Sequence, residues 1–211
     1  MALPIQAIVG GNSPAAAGSA PANMRYGPSG EVIVQNVHSD LYEAAVRGNV
    51  FSGSNSAAVT TSAGFATTHT GLCLSNPIGS GKNLVLIRVK YGAIVAQAAA
   101  LSFGLQTGYH AATNVVHTTP MVPLSNFVGN PAGVGLLDSA ATLPIAPTRI
   151  ILLDTLLTGA ITTTPIGGSQ YDINGSIVIP PGGFVATYTS AASTASSLVF
   201  GFTWEEVSAV I

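Results

Sequence analysis

The first residues that suggest chemistry are Gly79-Ser80-Gly81-Lys82, which look like part of a nucleotide-binding loop. A P-loop requires G-x-x-x-x-G-K-[ST], in which backbone amides surround the phosphates and the lysine and hydroxyl bind phosphate and magnesium. With Gly81-Lys82 as the GK pair, Asn76 stands where the first glycine belongs and Asn83 where the hydroxyl belongs. A strand, not a helix, is predicted next. We therefore interpret the stretch as an Asn-Pro turn with a glycine-rich connection.

His69 and Cys73 are the one pair of soft metal ligands that lie close together in the sequence. On a strand, a spacing of four places both side chains on one face, but a zinc site needs three or four ligands. The other histidines are scattered: His38, His110 and His117. Cys73, between two leucines, is expected to be a small core residue rather than a nucleophile. We expect no metal site and no cofactor.

Glu205 and Glu206 are the only adjacent carboxylates in the chain. On a strand they point to opposite faces, so they neither share a proton nor flank a glycosidic bond. The remaining aspartates in the β-rich part are isolated in sequence: Asp138, Asp154 and Asp172. The sequence therefore predicts no catalytic residue and no enzyme activity.

The elements that hold these residues belong to a chain with very little charge. Charged residues make up 7% of the 211, against about 25% in ordinary soluble domains. Such a surface loses little ion hydration on contact, which favours an oligomer or an assembly component over a monomer with a neutral exterior rich in Ser and Thr. A net charge of −2 gives no basic patch for nucleic acid. Because no run of about 18 apolar residues occurs, no membrane partner is expected either.

Residues 1–30 differ from the rest of the chain. They contain four prolines, five glycines and one charged residue, Arg25. This composition holds too little bulky apolar material to fold alone. We expect an extended N-terminal arm that lies across a neighbouring subunit; the alternative is a disordered tail.

From Glu31 onward, period-two apolar runs alternate with turns rich in Gly, Pro, Asn and Ser, which predicts a single all-β domain over residues 31–211. The clearest strands are Glu31–Val37, Leu84–Tyr91, Ser176–Ile179, Phe184–Tyr188 and Leu198–Trp204. The last two are joined by a loop of small residues and are predicted to form a hairpin. The apolar segment Ile150–Leu153 is either a strand buried on both faces or a short helix.

Alternation within these strands predicts which side chains share a face. In the first of the long strands the shared face holds Val85, Ile87, Val89 and Tyr91, with Arg88 and Lys90 opposite. In the two C-terminal strands the shared faces hold Phe184, Ala186 and Tyr188, and then Leu198, Phe200, Phe202 and Trp204.

Three segments are harder to interpret. Residues 40–45 carry Asp40 and Glu43 at capping-box spacing, with Gly48 as a helix stop, and residues 93–100 have good helical composition. We favour a strand for both, because each adjoins β-rich sequence. Residues 108–147 contain five prolines and form a long insertion, which either holds short strands or reaches a partner.

Four segments together carry a family resemblance: Leu41-Tyr42-Glu43-Ala44-Ala45-x-Arg47-Gly48-Asn49-x-Phe51, Thr70-Gly71-Leu72-x-Leu74-x-Asn76-Pro77-x-Gly79-Ser80-Gly81-Lys82-Asn83-Leu84, Ile179-Pro180-Pro181-Gly182-Gly183 and Trp204-Glu205-Glu206-Val207. They resemble virion structural proteins of tailed bacteriophages, of the head decoration, or cement, type. The resemblance implies a jelly-roll-like antiparallel β-sandwich that oligomerises, as a trimer, on the capsid surface. It carries over no catalytic residue.

The expected function is therefore structural. The protein decorates and stabilises a phage capsid by binding the major capsid protein between its subunits, without catalysis, in a virion assembled in the host cytoplasm. A repeated modest interface on a symmetric lattice makes this binding strong through avidity. The alternative is a receptor-binding domain of a phage tail or fibre, which predicts exposed aromatic or polar pockets in the 108–147 insertion.

Overall fold

The structure is a computed structural model that describes residues 6–7, 22–23, 41–156 and 167–209. The chain divides into two units, residues 1–40 and 41–211. In the first unit, β1 (Gln6–Ala7) pairs antiparallel with β2 (Ala22–Asn23). Apart from that pair, the arm expected over residues 1–30 and the strand predicted over Glu31–Val37 lie outside the described residues.

The second unit is an antiparallel β-sandwich, as the sequence predicts at the level of fold class. One short helix, α1 (Tyr42–Val46), precedes its strands. The strands are β3 (Val50–Ser54), β4 (Thr68–Ser75), β5 (Lys82–Ala93), β6 (Leu101–Tyr109), β7 (Val116–Met121), β8 (Leu124–Ser125), β9 (Leu136–Thr142), β10 (Thr148–Leu156), β11 (Gly168–Ile179), β12 (Gly183–Thr189) and β13 (Leu198–Ser208). They form a six-stranded sheet, β10-β6-β12-β4-β9-β7, and a five-stranded sheet, β11-β5-β13-β3-β8.

Eight of these strands pair as nested partners. β3 pairs with β13, β4 with β12, β5 with β11 and β6 with β10. The first strand of the eight thus pairs with the last, and the two middle strands pair with each other. The other three strands, β7, β8 and β9, come from the predicted insertion at 108–147, so the expectation that it holds short strands is confirmed. β9 and β7 extend the six-stranded sheet at one edge, and β8 extends the five-stranded sheet at one edge.

The core lies between the two sheets and is rich in aromatic side chains. Phe103 of the six-stranded sheet stacks on Phe200 of the five-stranded sheet at a centroid distance of 5.5 Å. Trp204 is fully buried and stacks with Phe51. Burial of such side chains contributes roughly 1.5–3 kcal/mol each to folding. The predicted inward face of the last strand, Leu198, Phe200, Phe202 and Trp204, is confirmed.

A smaller apolar cluster covers the outer face of the six-stranded sheet. Phe184 and Ala186 share this face, as predicted, while Val185 between them points into the main core. The cluster is completed by Cys73, Val115, Ala141 and Leu143. Residues of the insertion therefore cover part of the sheet, and β12 is buried along its whole length.

The face predicted for β5 is half wrong. Val89 and Tyr91 point into the core as expected, but Leu84 and Leu86 do so in place of Val85 and Ile87. Along the ladder between β5 and β13, Thr203 pairs with Arg88. The next residue, Trp204, pairs with Leu86, so Ile87 has no partner on β13. Such a bulge inserts one residue and flips the alternation beyond it.

The predicted C-terminal hairpin is also wrong. β12 pairs with β4 and β6 in the six-stranded sheet, whereas β13 pairs with β3 and β5 in the other sheet. The loop of small residues between them crosses the sandwich. Two strands adjacent in sequence with matching apolar faces fit equally well as partners in one sheet or as opposite layers.

The Ile150–Leu153 segment is a strand, β10, but it is not buried on both faces. It forms the edge of the six-stranded sheet, and Ile150 and Leu152 are about half exposed. Register shifts at two points along its pairing with β6 interrupt the ladder. Bulges of this kind protect an apolar edge from pairing with other chains.

The strand preferred for residues 40–45 is wrong, because Tyr42–Val46 is the helix α1. Gly48 has φ +73° and stops it, as the helical alternative required. No side-chain cap is present, since the N-cap residue is Leu41. The strand preferred for residues 93–100 is wrong as well: β5 ends at Ala93 and residues 94–100 form an irregular connection to β6.

Candidate functional site

The glycine-rich stretch is a connection between sheets. It links β4 to β5, and Asn76 holds it by donating from Nδ2 to the carbonyls of Lys82 at 2.7 Å and Ile179 at 2.9 Å. The backbone of Asn76 also bonds to Gly182 and Gly183 in the turn between β11 and β12. Because a strand follows directly, the helix N-terminus of a P-loop is missing here. The predicted turn is confirmed.

His69 and Cys73 are both buried on β4, and neither is poised for chemistry. Burial lowers the pKa of His69 to about 4, so the ring is neutral. Burial raises the pKa of the Cys73 thiol far above its ordinary value, which leaves no thiolate to act as nucleophile. A register shift between Thr70 and Cys73 also interrupts the alternation on which the same-face prediction depended.

No metal centre is found in the described part of the chain: no group of three His, Cys, Asp or Glu side chains lies close enough together to hold an ion. Within the same residues, no helix is long and apolar enough to cross a membrane.

The fold brings together one pair that the sequence left apart, His117 on β7 and Asp138 on β9. His117 Nδ1 hydrogen-bonds to Asp138 Oδ2. Asp138 is fully buried, and its Oδ1 has no hydrogen-bond partner among the described residues. Burial raises the pKa of Asp138, and the contact with His117 opposes that shift. The two residues are 21 positions apart in the chain, and no local motif marks them.

His117 lines a cleft of about 140 Å³ at one end of the six-stranded sheet. The cleft is bounded by Ser75, Asn76, Pro77, Asn114, Val115, His117, Leu136, Gly182 and Gly183. An oriented imidazole needs an activated nucleophile or a polarised substrate group to do acid–base chemistry. Cys73, the cross-strand neighbour of Asp138, is inert. The arrangement therefore acts as a hydrogen-bonded pair that fastens β7 to β9.

A second carboxylate, Asp154 on β10, joins the two sheets at the opposite edge of the sandwich. Its Oδ2 accepts hydrogen bonds from the hydroxyls of Tyr171 at 2.7 Å and Tyr91 at 2.6 Å, which lie on β11 and β5. The Thr155 amide donates to Oδ1. These donors lower the pKa of Asp154. Burial, together with the hydrogen bond to the carboxylate, raises the pKa of Tyr91 to about 12.

Glu205 and Glu206 point to opposite faces of β13, as predicted. Glu206 is buried and accepts hydrogen bonds from the amides of Val134 and Gly135 at 3.0 and 2.9 Å. The indole of Trp204 donates to the same carboxylate at 3.3 Å. Glu206 thus fixes the 133–135 segment of the insertion on the end of the sandwich.

The insertion also presents a ridge of exposed apolar side chains, Val122, Leu124, Phe127 and Val128. Val128 is 93% exposed and Val122 75%. The only charged residue between 108 and 147 is Asp138, which is buried, so no ionised side chain interrupts the ridge. Exposed apolar clusters of this kind mark interaction surfaces on soluble proteins.

A groove of about 630 Å³ lies beside the ridge on the outer face of the five-stranded sheet. Its floor is made of small side chains from β3 and β13, and Lys90 is its single charged residue. Leu124 and Val128 of the ridge form one wall.

Comparison with known proteins gives no match: no family model, no curated protein and no solved structure is significantly similar to the chain.

Proposed function

We propose that the protein is a virion structural protein that decorates a bacteriophage capsid and stabilises it by binding between capsid subunits, without catalysis. The observation that carries the proposal is the low charge of the sandwich: 7% of the residues are charged, and the exterior also exposes apolar side chains. Desolvating such a surface costs little, because few hydrated charges are lost on contact. The protein is therefore suited to binding other protein surfaces.

The strand pairing supports a jelly roll as the specific architecture. A jelly roll forms when a long antiparallel ribbon of eight strands folds over into two sheets. The nested pairs β3–β13, β4–β12, β5–β11 and β6–β10 have that order. Capsid proteins, lectins and cupins all use this architecture, so the fold is compatible with a virion role without assigning one.

The internal chemistry is consistent with a binding role. The carboxylates of Asp138, Asp154 and Glu206 all hold strands or segments of the chain in place. The buried thiol of Cys73 and the neutral ring of His69 supply neither nucleophile nor metal site. Three of the five carboxylates that sequence reasoning considered for chemistry thus have structural tasks in the sandwich.

The experiment is to label the protein on intact particles and to add purified protein to particles stripped of it. Label over the whole capsid, with saturable rebinding, is the expected outcome. Label at the tail tip would replace this proposal with receptor binding, an alternative to which the exposed aromatic rings of Tyr109 and Phe127 in the insertion give some support. Protein that fails to bind stripped particles at all would contradict the decoration role.

A further inference from the structure

We propose that the ridge of one copy, formed by Val122, Leu124, Phe127 and Val128, docks into the Lys90 groove of a second copy of this chain. This inference rests on the homo-oligomer expected of the proposed function and identifies the surface that forms it. Nothing in the sequence marks the groove, because its residues come from four strands and a loop.

The shape of the surface supports self-association. Leu124 and Val128 belong to the ridge and also form a wall of the groove, so projection and depression lie side by side on one face. Copies arranged about a common symmetry axis can then each place a ridge in a neighbour's groove, and the contact closes into a ring. A ridge far from its groove would favour an open filament instead.

The floor of the groove is shaped to receive side chains. Ser52 and Thr203 join across it through a 3.0 Å hydrogen bond between their hydroxyls, so each hydroxyl has a partner within the chain. Gly201 lies between Ser54 and Lys90 in the ladder, and a Cβ built there would approach no atom closer than 3.6 Å. Space above Gly201 is thus open, and the groove owes its depth to the missing side chain.

Charge argues for a second copy as the occupant. The ridge carries no ionised side chain, and the groove carries only Lys90, so a strongly charged partner would lose hydration without gaining ion pairs. A surface as sparsely charged as this one belongs to the chain itself, with 7% charged residues. The ammonium of Lys90 can reach solvent at the rim or donate to backbone carbonyls of the neighbour's turn.

The ridge exposes a large apolar area for a single copy. The four ridge side chains expose on the order of 400 Å² of apolar surface, a large patch for a monomer. A stable interface needs roughly 800 Å² on each partner. Each contact joins the ridge of one copy to the groove of another, so the ridge supplies about half of the area that one partner buries in a stable interface.

The test uses the full chain and three variants, compared by sedimentation velocity, circular dichroism and thermal melting. Val128→Asp charges the tip of the ridge, and Gly201→Val fills the groove on a strand where valine is well tolerated. Ile94→Asp is the matched control, since Ile94 is 64% exposed and lies outside both surfaces. We expect a wild-type oligomer, a 21.1 kDa species for both surface variants with unchanged spectra, and a wild-type oligomer for the control.

Covalent trapping gives a second measurement. Cys73 is the single cysteine of the chain and is buried, so an introduced cysteine is the only accessible thiol. Coexpressed Val128→Cys and Ser54→Cys chains should form a disulfide-linked dimer on oxidation in air, because ridge and groove of different copies meet. Each single variant expressed alone should give much less cross-linked product.

Several outcomes overturn the inference. A wild-type protein that sediments as a monomer rejects it, as does Val128→Asp protein that keeps the wild-type oligomer. If Val128→Asp remains oligomeric but no longer binds stripped particles, the ridge contacts the capsid and not a second copy. Failure of the wild-type oligomer to bind particles would reject the decoration role alone and leave the ridge–groove contact standing.

Discussion

Asp138 and Asp154 each fasten one strand to another, but they do so in contrasting surroundings. Asp154 bridges the two sheets, lies near the surface and accepts from two tyrosine hydroxyls and an amide. Asp138 lies within one sheet, is fully buried and has His117 as its one partner among the described residues. The pKa of Asp154 is lowered and that of Asp138 is raised. Hydrogen-bond donors favour the ionised form of a carboxyl group and desolvation favours the protonated form, so the balance between them sets the direction of each pKa shift.

The largest effect is expected at the buried pair. His117→Ala removes the partner of Asp138 and leaves a buried carboxyl group without a hydrogen bond, so we expect a loss of about 3 kcal/mol in the free energy of unfolding at pH 7. Chemical denaturation monitored by tryptophan fluorescence measures it, since Trp204 is the single tryptophan.

Asp138→Asn provides the control for that prediction, because an amide keeps the shape without the charge. In the Asp138→Asn background, His117→Ala should cost at least about 1.4 kcal/mol less than it does in the wild type. Equal costs in both backgrounds would mean that the imidazole only fills space.

The next effect in size is expected at the bridge between the sheets. Asp154→Ala removes the acceptor of two tyrosine hydroxyls, and we expect a loss of about 2 kcal/mol, moderated because the carboxylate is partly exposed. Asp172→Ala on β11 is the matched control: its 2.6 Å contact with Arg88 is a surface ion pair, worth less than about 1 kcal/mol. A larger loss at Asp172 than at Asp154 would contradict the bridging role.

The two carboxylates should respond to pH in opposite directions. The pKa of Asp154 in the folded state is lowered. Its contribution to the free energy of unfolding is therefore present above the unfolded-state pKa of about 3.9 and is lost as the pH falls through the folded pKa. The destabilisation caused by Asp154→Ala should therefore shrink below about pH 4.

For Asp138 the pKa in the folded state is raised. Its contribution to the free energy of unfolding is therefore greatest below about pH 4 and is lost as the pH rises through the folded pKa. Without His117 that loss is larger, because the contact that opposes the shift is gone. The cost of His117→Ala should hence grow from about pH 4 to about pH 7. Denaturation of both variants across this pH range checks the expectation, and parallel trends would refute the contrast.

The smallest effect is expected at Lys82, which takes part in neither carboxylate site. Lys82→Ala should change the free energy of unfolding by less than about 0.5 kcal/mol, because the Asn76 bond that holds the turn goes to the backbone carbonyl of Lys82. The wild-type protein should show no change in melting temperature with ATP and magnesium. Stabilisation by the nucleotide that disappears in the variant would restore the P-loop interpretation.

Patterns of period two located four of the sandwich strands, β5, β11, β12 and β13, but not their partners. The apolar face of β13 and the end of β11 before Pro180 follow from local alternation and from the missing proline amide. The pairing of β12 with β6 and β4, rather than with β13, depends on contacts across many residues. The bulge at Ile87 likewise left no mark in the sequence, since one extra residue changes no composition.

The structural sites divide in the same way. The opposite directions of Glu205 and Glu206 follow from strand geometry alone, and so does the failure of Gly79-Ser80-Gly81-Lys82 as a phosphate loop. The pairing of His117 with Asp138 required β7 and β9 to become neighbours. That pairing is set by where the insertion returns to the sheet.

By itself, the sequence determined that this chain builds β-structure, carries few charges and lacks local motifs for catalysis or metal binding, because propensity, composition and spacing are local quantities. Only the tertiary structure decided that Ile150–Leu153 lies at an exposed edge, that Asp154 joins the sheets and that a ridge stands beside a groove. Those features depend on which distant segments meet, and the free energy that selects those partners is shared over the whole core.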